Sequence, residues 1–144
     1  MIGVNPLALE QQVCFALYSA SRAVTAAYRP LLAPLGVTYP QYLVLLVLWE
    51  HGTRSVRDLG EALHLDSGTL SPLLKRLEAS GLVTRARAAE DERQVRVGLT
   101  DAGWELRERA VEIPAQLHDA TGVDDETLAA LHRACHALIE ESQR

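Results

Sequence analysis

The hydrophobic period changes once between Asp66 and Thr100, and that change limits the fold more than any other feature. Leu70, Leu73, Leu74 and Leu77 recur at i, i+3, i+4 and i+7, one apolar stripe of a helix. Ser67, Ser71 and Lys75 fall on the opposite face. Asp66 can cap this helix and Gly81 can end it. Two strand-like runs follow, at 82–87 and 94–99. In the second, Val95, Val97 and Leu99 alternate with Gln94, Arg96 and Gly98, the period of a half-buried strand. The turn between the runs, 88–93, is charged and too polar for a core.

Upstream, Ser55 can cap a short helix to Leu63 that turns Val56, Leu59 and Leu63 inward. His64 and Leu65 then lead into the Asp66 helix, which is helix-turn-helix spacing. Helix, strand, charged tip and strand is the plan of a winged helix. In that plan one helix enters a DNA major groove and a basic hairpin tip reaches the backbone or minor groove. Ser67, Thr69, Ser71 and Lys75 are the candidate groove residues, with Arg76 in reach of phosphate. Arg85, Arg87 and Arg96 on the strands are further phosphate candidates. Arg93 at the tip suits a narrow minor groove, with Asp91 orienting it. Pro72 lies inside the helix and removes one backbone bond, so a kink or a loosened first turn is expected. The competing reading is an ordinary helix–hairpin unit with a solvated face.

Net charge is −5 over 144 residues, which argues weakly against nucleic acid. Its distribution softens that objection. Residues 1–50 are balanced, residues 51–100 carry one net positive charge, and residues 101–144 carry six net negative charges. Salt screens charges beyond about 10 Å, so the local balance governs phosphate contact. Hydrophobic content is 48% and aromatic content 5%, which suits an aliphatic helical protein. No apolar run is long enough to span a membrane, and residues 1–10 lack the basic and apolar regions of a secretory signal. A cytoplasmic protein is expected. Two cysteines, Cys14 and Cys135, make no disulfide framework there.

Apolar helices flank the module on both sides. Residues 9–28 read as a helix with a second face of Cys14, Tyr18, Ser21, Thr25 and Tyr28. Pro30, Pro34 and Gly36 break it. Thr38 and Gln41 then have capping-box spacing, Val37 and Tyr42 staple spacing, and residues 43–49 are apolar all round, so this helix should be buried. Residues 51–54 read as a turn. From Thr100 a long helix is expected, bent near Pro114. Asp124 should cap the last helix, where Leu128, Leu131, Cys135 and Leu138 form a seam that wants a partner helix. The expected fold is mainly α with a small β wing, a single winged-helix domain over 1–144. Dimerisation and core helices at 9–50 and 100–144 surround a DNA-binding module at 54–99. A homodimer would set two recognition helices about 34 Å apart, matching double-stranded DNA with an inverted repeat.

Four stretches carry a family resemblance: CFALYSASRAVTAAYRPLL at 14–32, LGVTYPQYLVLLVLWE at 35–50, LDSGTLSPLLKRLE at 65–78 and AAEDERQV at 88–95. With them the chain resembles the MarR family of dimeric winged-helix regulators, and most of all its organic-hydroperoxide-sensing, OhrR-type repressors. The resemblance implies repression of a peroxide-detoxification gene, relieved by cysteine oxidation. It further implies that Cys14 is the sensing thiol, held by tyrosines matching Tyr28 and Tyr39.

Geometry adds a condition. Cys14 and Tyr28 lie fourteen residues apart on one expected helix, about 21 Å at 1.5 Å per residue. Tyr28 therefore reaches a Cys14 only across a dimer. Tyr18, one turn from Cys14, is its neighbour in the same chain. Phenol donors favour a thiolate over a thiol. Cys135 sits in the apolar seam and reads as a core residue, which disfavours a two-cysteine mechanism and leaves a small thiol as the second partner of an oxidised Cys14. His132 and His136 are one turn apart but lack an assigned third ligand, so no metal is expected, and no cofactor is implied. The leading function is a repressor released from its operator when organic hydroperoxide oxidises Cys14. The alternatives are a repressor controlled by a small phenolic ligand and, in another class, a thiol peroxidase. For the peroxidase only Arg22 stands near enough in sequence to activate the thiol.

Overall fold

The computed structural model describes residues 5–91 and 93–144. Residues 1–4, part of the N-terminal stretch read above, and Glu92 in the 88–93 turn lie outside the described residues. Among the described residues, helices and strands follow in the order α1 (Val13–Leu32), α2 (Tyr39–His51), β1 (Arg54–Ser55), α3 (Val56–Leu63), α4 (Ser67–Ala79), β2 (Val83–Arg87), β3 (Val95–Leu99), α5 (Asp101–Ala110), α6 (Ile113–Thr121) and α7 (Asp125–Ser142). The expected class, mainly helical with a small wing, is what forms.

Helix α2 is the centre. Val44, Leu45 and Leu48 are wholly buried on it, against Leu59 of α3, Leu70, Leu74 and Leu77 of α4, Val83 and Val97 of the sheet, and Leu106, Ala110 and Ile113 beyond. Burying a side chain of this size contributes about 1.5–3 kcal/mol, so the cluster ties the flanking helices and the helix-turn-helix with its wing into one core. The start of α2 is closed as expected. Thr38 accepts from the Gln41 N–H at 3.4 Å, and the Gln41 side chain accepts from the Thr38 N–H at 2.9 Å.

Helix α1 starts four residues later than expected. Leu9–Gln11 forms a separate 3₁₀ turn, and the Gln12 amide donates back to the Pro6 and Ala8 carbonyls. The helix then runs past Arg29 to Leu32 with Pro30 inside it. The carbonyl that Pro30 leaves without a helical donor belongs to Ala26, an exposed residue, so water can serve it. Helix α4 likewise runs as one element across Pro72; the carbonyl affected there is that of Gly68, in the exposed first turn. The expected long helix after Thr100 is two helices, α5 and α6, with Pro114 in the first turn of the second. A missing N–H costs nothing at that position, so the helix restarts there rather than bending.

The sheet has the order β1-β3-β2, antiparallel throughout. Strand β1 replaces part of the turn expected at 51–54. Two residues are too few to show a period, and only its pairing with Val97 and Arg96 of β3 makes it a strand. Strands β2 and β3 pair from Val83↔Leu99 to Arg87↔Val95. At the foot of this hairpin Thr100 does two things. Its hydroxyl accepts from the Gly103 N–H at 3.0 Å, capping α5, and donates to the Gly81 carbonyl at 2.6 Å, where α4 ends. No single described helix is long and apolar enough to cross a membrane. We expect Thr100→Val to lower stability by about 1–2 kcal/mol through loss of the cap. Urea unfolding followed by helical circular dichroism would measure it; an unchanged midpoint would mean the two bonds carry no net stability.

Candidate DNA interface and thiol site

The cap of α4 is built as the sequence suggested. Asp66 accepts from the Thr69 N–H at 2.7 Å, and this bond holds its carboxyl below the usual range. With Leu70, Leu74 and Leu77 turned into the core, Ser67, Thr69, Ser71, Lys75 and Arg76 all stand exposed on the outer side. A helix pinned by its apolar stripe thus presents two serines, a threonine and two cations to the outside.

Arg85 has a different setting. Glu78 of α4 accepts from its guanidinium and from its backbone N–H, each at 3.1 Å, and the pairing with Arg85 holds the Glu78 carboxyl below its ordinary value. This ion pair joins α4 to the wing and leaves Arg85 half-buried. At the wing tip Asp91 accepts from the backbone N–H of Arg93 at 3.0 Å. The carboxylate therefore shapes the turn through the main chain, and the Arg93 side chain is exposed. Arg96 pairs with Glu90 at 3.0 Å. A polar cleft of about 500 Å³ lies between α3 and the sheet, lined by Arg54, Arg57, Asp58, Glu61, Gln94 and Arg96, with Arg57 paired to Glu61 at 3.5 Å. From the sequence Arg54 and Arg57 are weaker candidates for DNA contact than the arginines of the wing. Only the β1–β3 pairing brings them beside Arg96.

The thiol site divides in two. Cys14, in the first turn of α1, is exposed; so is Tyr18, at 59%, with the Arg22 guanidinium 5.6 Å from its ring centre. Tyr28 lies at the other end of the same helix, so within one chain it does not approach Cys14. Instead its ring stands 4.6 Å from that of Tyr39 and 5.7 Å from that of Tyr42. The line of hydroxyls expected along α1 is interrupted between the two ends, because Thr25 turns its hydroxyl back onto the Ser21 carbonyl at 2.7 Å. The sequence suggests only a packing role for Tyr42. Its place at i+3 from Tyr39, one turn along the same helix face, is the signal that would have found it.

Burial raises the pKa of all three phenols. Tyr28 is pushed up to about 12, first by burial and then by repulsion from Tyr39 and Tyr42. Tyr39 and Tyr42 move in the same direction, again through burial. The cluster therefore holds protonated O–H donors at neutral pH. A cleft of about 420 Å³ opens beside it, between α1 and the start of α2, lined by Thr25, Arg29, Leu32, Val37, Thr38 and Tyr39.

Cys135 is a free, half-buried thiol on α7. His132 and His136 are exposed with their Nε2 atoms 3.2 Å apart, and the described residues hold no group of three His, Cys, Asp or Glu that could bind a metal ion.

Known proteins share this arrangement. Residues 26–110 match the family described as transcriptional regulator SarA/Rot. The organic hydroperoxide resistance transcriptional regulator of Bacillus subtilis (strain 168) is 52% identical over 132 residues, 92% of this chain and 90% of its own. The chain belongs to the MarR/SarA family of winged-helix transcriptional regulators. Among solved structures this regulator resembles AbfR of Staphylococcus epidermidis in three states. Reduced AbfR bound to DNA is 40% identical with a TM-score of 0.80, over 92% of this chain and 93% of that one. Overoxidised AbfR bound to DNA gives 38% and 0.76 over the same shares. Disulfide-formed AbfR gives 40% and 0.68 over 94% and 93%.

The phenol cluster sets an alkaline limit. A phenol raised in the folded state stays protonated there while its unfolded counterpart, near 10, ionises, so the unfolded state binds fewer protons and stability falls with rising pH. We expect stability to decline as pH rises from 10 through about 12, the value for Tyr28, and to decline less steeply in Tyr28→Phe. Urea midpoints at stepped pH check this; equal slopes for the two proteins would show that Tyr28 does not contribute.

Proposed function

We propose that this regulator is a homodimeric repressor that leaves its operator when an organic hydroperoxide oxidises Cys14. It binds double-stranded DNA carrying an inverted repeat, one half-site per protomer, and works in the cytoplasm where that DNA is. The observation that carries the reading is the separation of an exposed Cys14 from a cluster of three protonated phenols, Tyr42 buried and Tyr28 and Tyr39 half-buried, on the same chain. The two ends complement each other only between chains. A dimer in which α1 and α7 run past their counterparts would also cover Val13, Phe15, Leu17, Leu131, Leu138 and Ile139, which a single chain leaves exposed.

The chemistry balances without a cofactor. The Cys14 thiolate attacks the outer oxygen of the hydroperoxide. A sulfur–oxygen bond forms as the oxygen–oxygen bond breaks, and the alkoxide leaves to take up a proton as the alcohol. Sulfur loses two electrons to the peroxide and becomes a sulfenic acid. Phenol O–H groups of the partner's Tyr28 and Tyr39 stabilise the thiolate beforehand, and the added oxygen disturbs those bonds. A small cellular thiol then condenses with the sulfenic acid, giving a mixed disulfide and water. That AbfR is found on DNA when overoxidised supports this second, bulkier step as the one that completes release. The chain acts as a switch rather than as an enzyme.

On DNA, Ser67, Thr69, Ser71 and Lys75 face the major groove, Arg76 meets phosphate and Arg93 enters the minor groove. Arg85 serves through its bond to Glu78, holding the wing to the recognition helix. We expect Lys75→Ala and Arg93→Ala each to weaken binding, with the salt slope falling by about one unit wherever the lost cation also neutralised a phosphate. Fluorescence-anisotropy titrations on the chain's own upstream region across a salt series would show it, and parental behaviour in both variants would rule out these faces. For the switch, a DNA-shift titration with cumene hydroperoxide and a small thiol should release the parent, with Cys14 modified by mass spectrometry. The Cys14→Ser variant should stay bound. Release of that variant by peroxide would remove the mechanism, and a Cys14–Cys135 linkage would replace the one-cysteine scheme.

A further inference from the structure

The three phenols are close to one another, but a signal from them has to reach the DNA-facing elements. A single aromatic side chain spans that gap. Tyr42 is 3% exposed, and its ring meets Trp49 edge-on at 6.4 Å, two turns further along α2. The Trp49 indole N–H donates to the Gly103 carbonyl at 2.9 Å, fifty-four residues away in sequence.

Gly103 lies at a junction. It is buried in the first turn of α5, and its N–H is the one that Thr100 caps. A side chain there would run into the Leu82 carbonyl and the Leu99 side chain. The Leu82 carbonyl itself accepts from the Thr100 N–H at 3.1 Å, and the Thr100 hydroxyl holds the Gly81 carbonyl. Gly81 and Leu82 are where the recognition helix α4 passes into the wing, and Leu99 is where the wing returns. One hydrogen bond from α2 therefore grips the point that carries both DNA-reading elements.

We propose that Trp49 is a positioning residue that transmits the state of the phenol cluster to the recognition helix and wing, through Tyr42 on one side and the Gly103 carbonyl on the other. The inference rests on the redox reading above and adds the route by which oxidation reaches DNA. A shift of Tyr28 or Tyr39 displaces Tyr42, turns the Trp49 indole and loosens or re-aims its hydrogen bond. The α4–wing junction then moves relative to α2, and the two half-sites are no longer engaged together. Trp49 lies on α2, apart from Cys14 in the first turn of α1 and from the exposed side of α4. Its effect should therefore appear in the coupling between oxidation and binding, not in the affinity of the reduced protein.

The chain has two tryptophans, so the test has a built-in optical probe. In Trp104→Phe, Trp49 is the sole indole; Trp104 follows Gly103 in α5, but its side chain is exposed and the substitution keeps a ring there. Adding cumene hydroperoxide and a small thiol should change Trp49 emission in step with Cys14 modification and DNA release. A side chain that merely fills the core would keep its emission. In the second arm, Trp49→Phe keeps a ring and removes the donor. The reduced variant should bind operator DNA within about threefold of the parent, while the ratio of oxidised to reduced Kd falls at least tenfold. Unchanged emission during release, or an unchanged Kd ratio in Trp49→Phe, overturns the proposal. If Trp49→Phe fails to fold, the emission arm alone decides. If the parent is not released by hydroperoxide at all, the redox reading falls, and this inference with it; coupled release in the parent with a silent Trp49 removes the inference alone.

Discussion

The burial of α2 is the constraint on which the rest depends. Its apolar residues point in nearly every direction, so it needs neighbours on most sides, and in the single chain the line of Pro40, Leu46 and Glu50 stays exposed. One side takes α3, α4 and the sheet through Leu59, Leu70, Leu77 and Val97; another takes α5 and α6 through Leu106 and Ile113. The helix-turn-helix and wing thus share their core with the flanking helices. The phenols Tyr39 and Tyr42 and the donor Trp49 sit on the same element. Displacing its first turn therefore disturbs elements at both ends of the molecule.

The electrostatics follow from that burial. Tyr28, Tyr39 and Tyr42 lose water where α1 meets α2, and each holds its proton more tightly as a result. A cluster of neutral donors beside an open cleft is suited to receive an anion. The thiol of the same chain is out of its reach. The separation of Cys14 from Tyr28 along one rigid helix makes the second chain a chemical requirement of the proposed switch as well as a source of apolar cover.

Carboxylates near the DNA face have structural work, which offsets the unfavourable overall charge of −5. Asp66 caps α4, Glu78 fixes Arg85 and Asp91 shapes the wing tip. Each is consumed by a local donor, so its charge is partly neutralised at short range. The acidic surplus lies after residue 100, outside the α3–α4–wing unit.

Much of this was legible in the chain. The Leu70–Leu77 stripe, the Thr38, Asp66 and Thr100 caps and the alternation around Val97 are local patterns, decided by residues within one or two turns of each other. The role proposed for Cys14 came from the resemblance, and helix rise alone showed that Tyr28 is out of its reach. What the sequence could not decide depends on contacts between distant segments. Strand β1 exists because β3 lies beside it. Arg85 is engaged because the wing folds back on Glu78. Tyr42 joins the phenols because α1 crosses the start of α2. The Trp49–Gly103 bond joins residues with no local relation at all. Periodicity and capping report the neighbours a residue has along the chain. The neighbours it acquires across the core follow from packing, which only the tertiary structure decides.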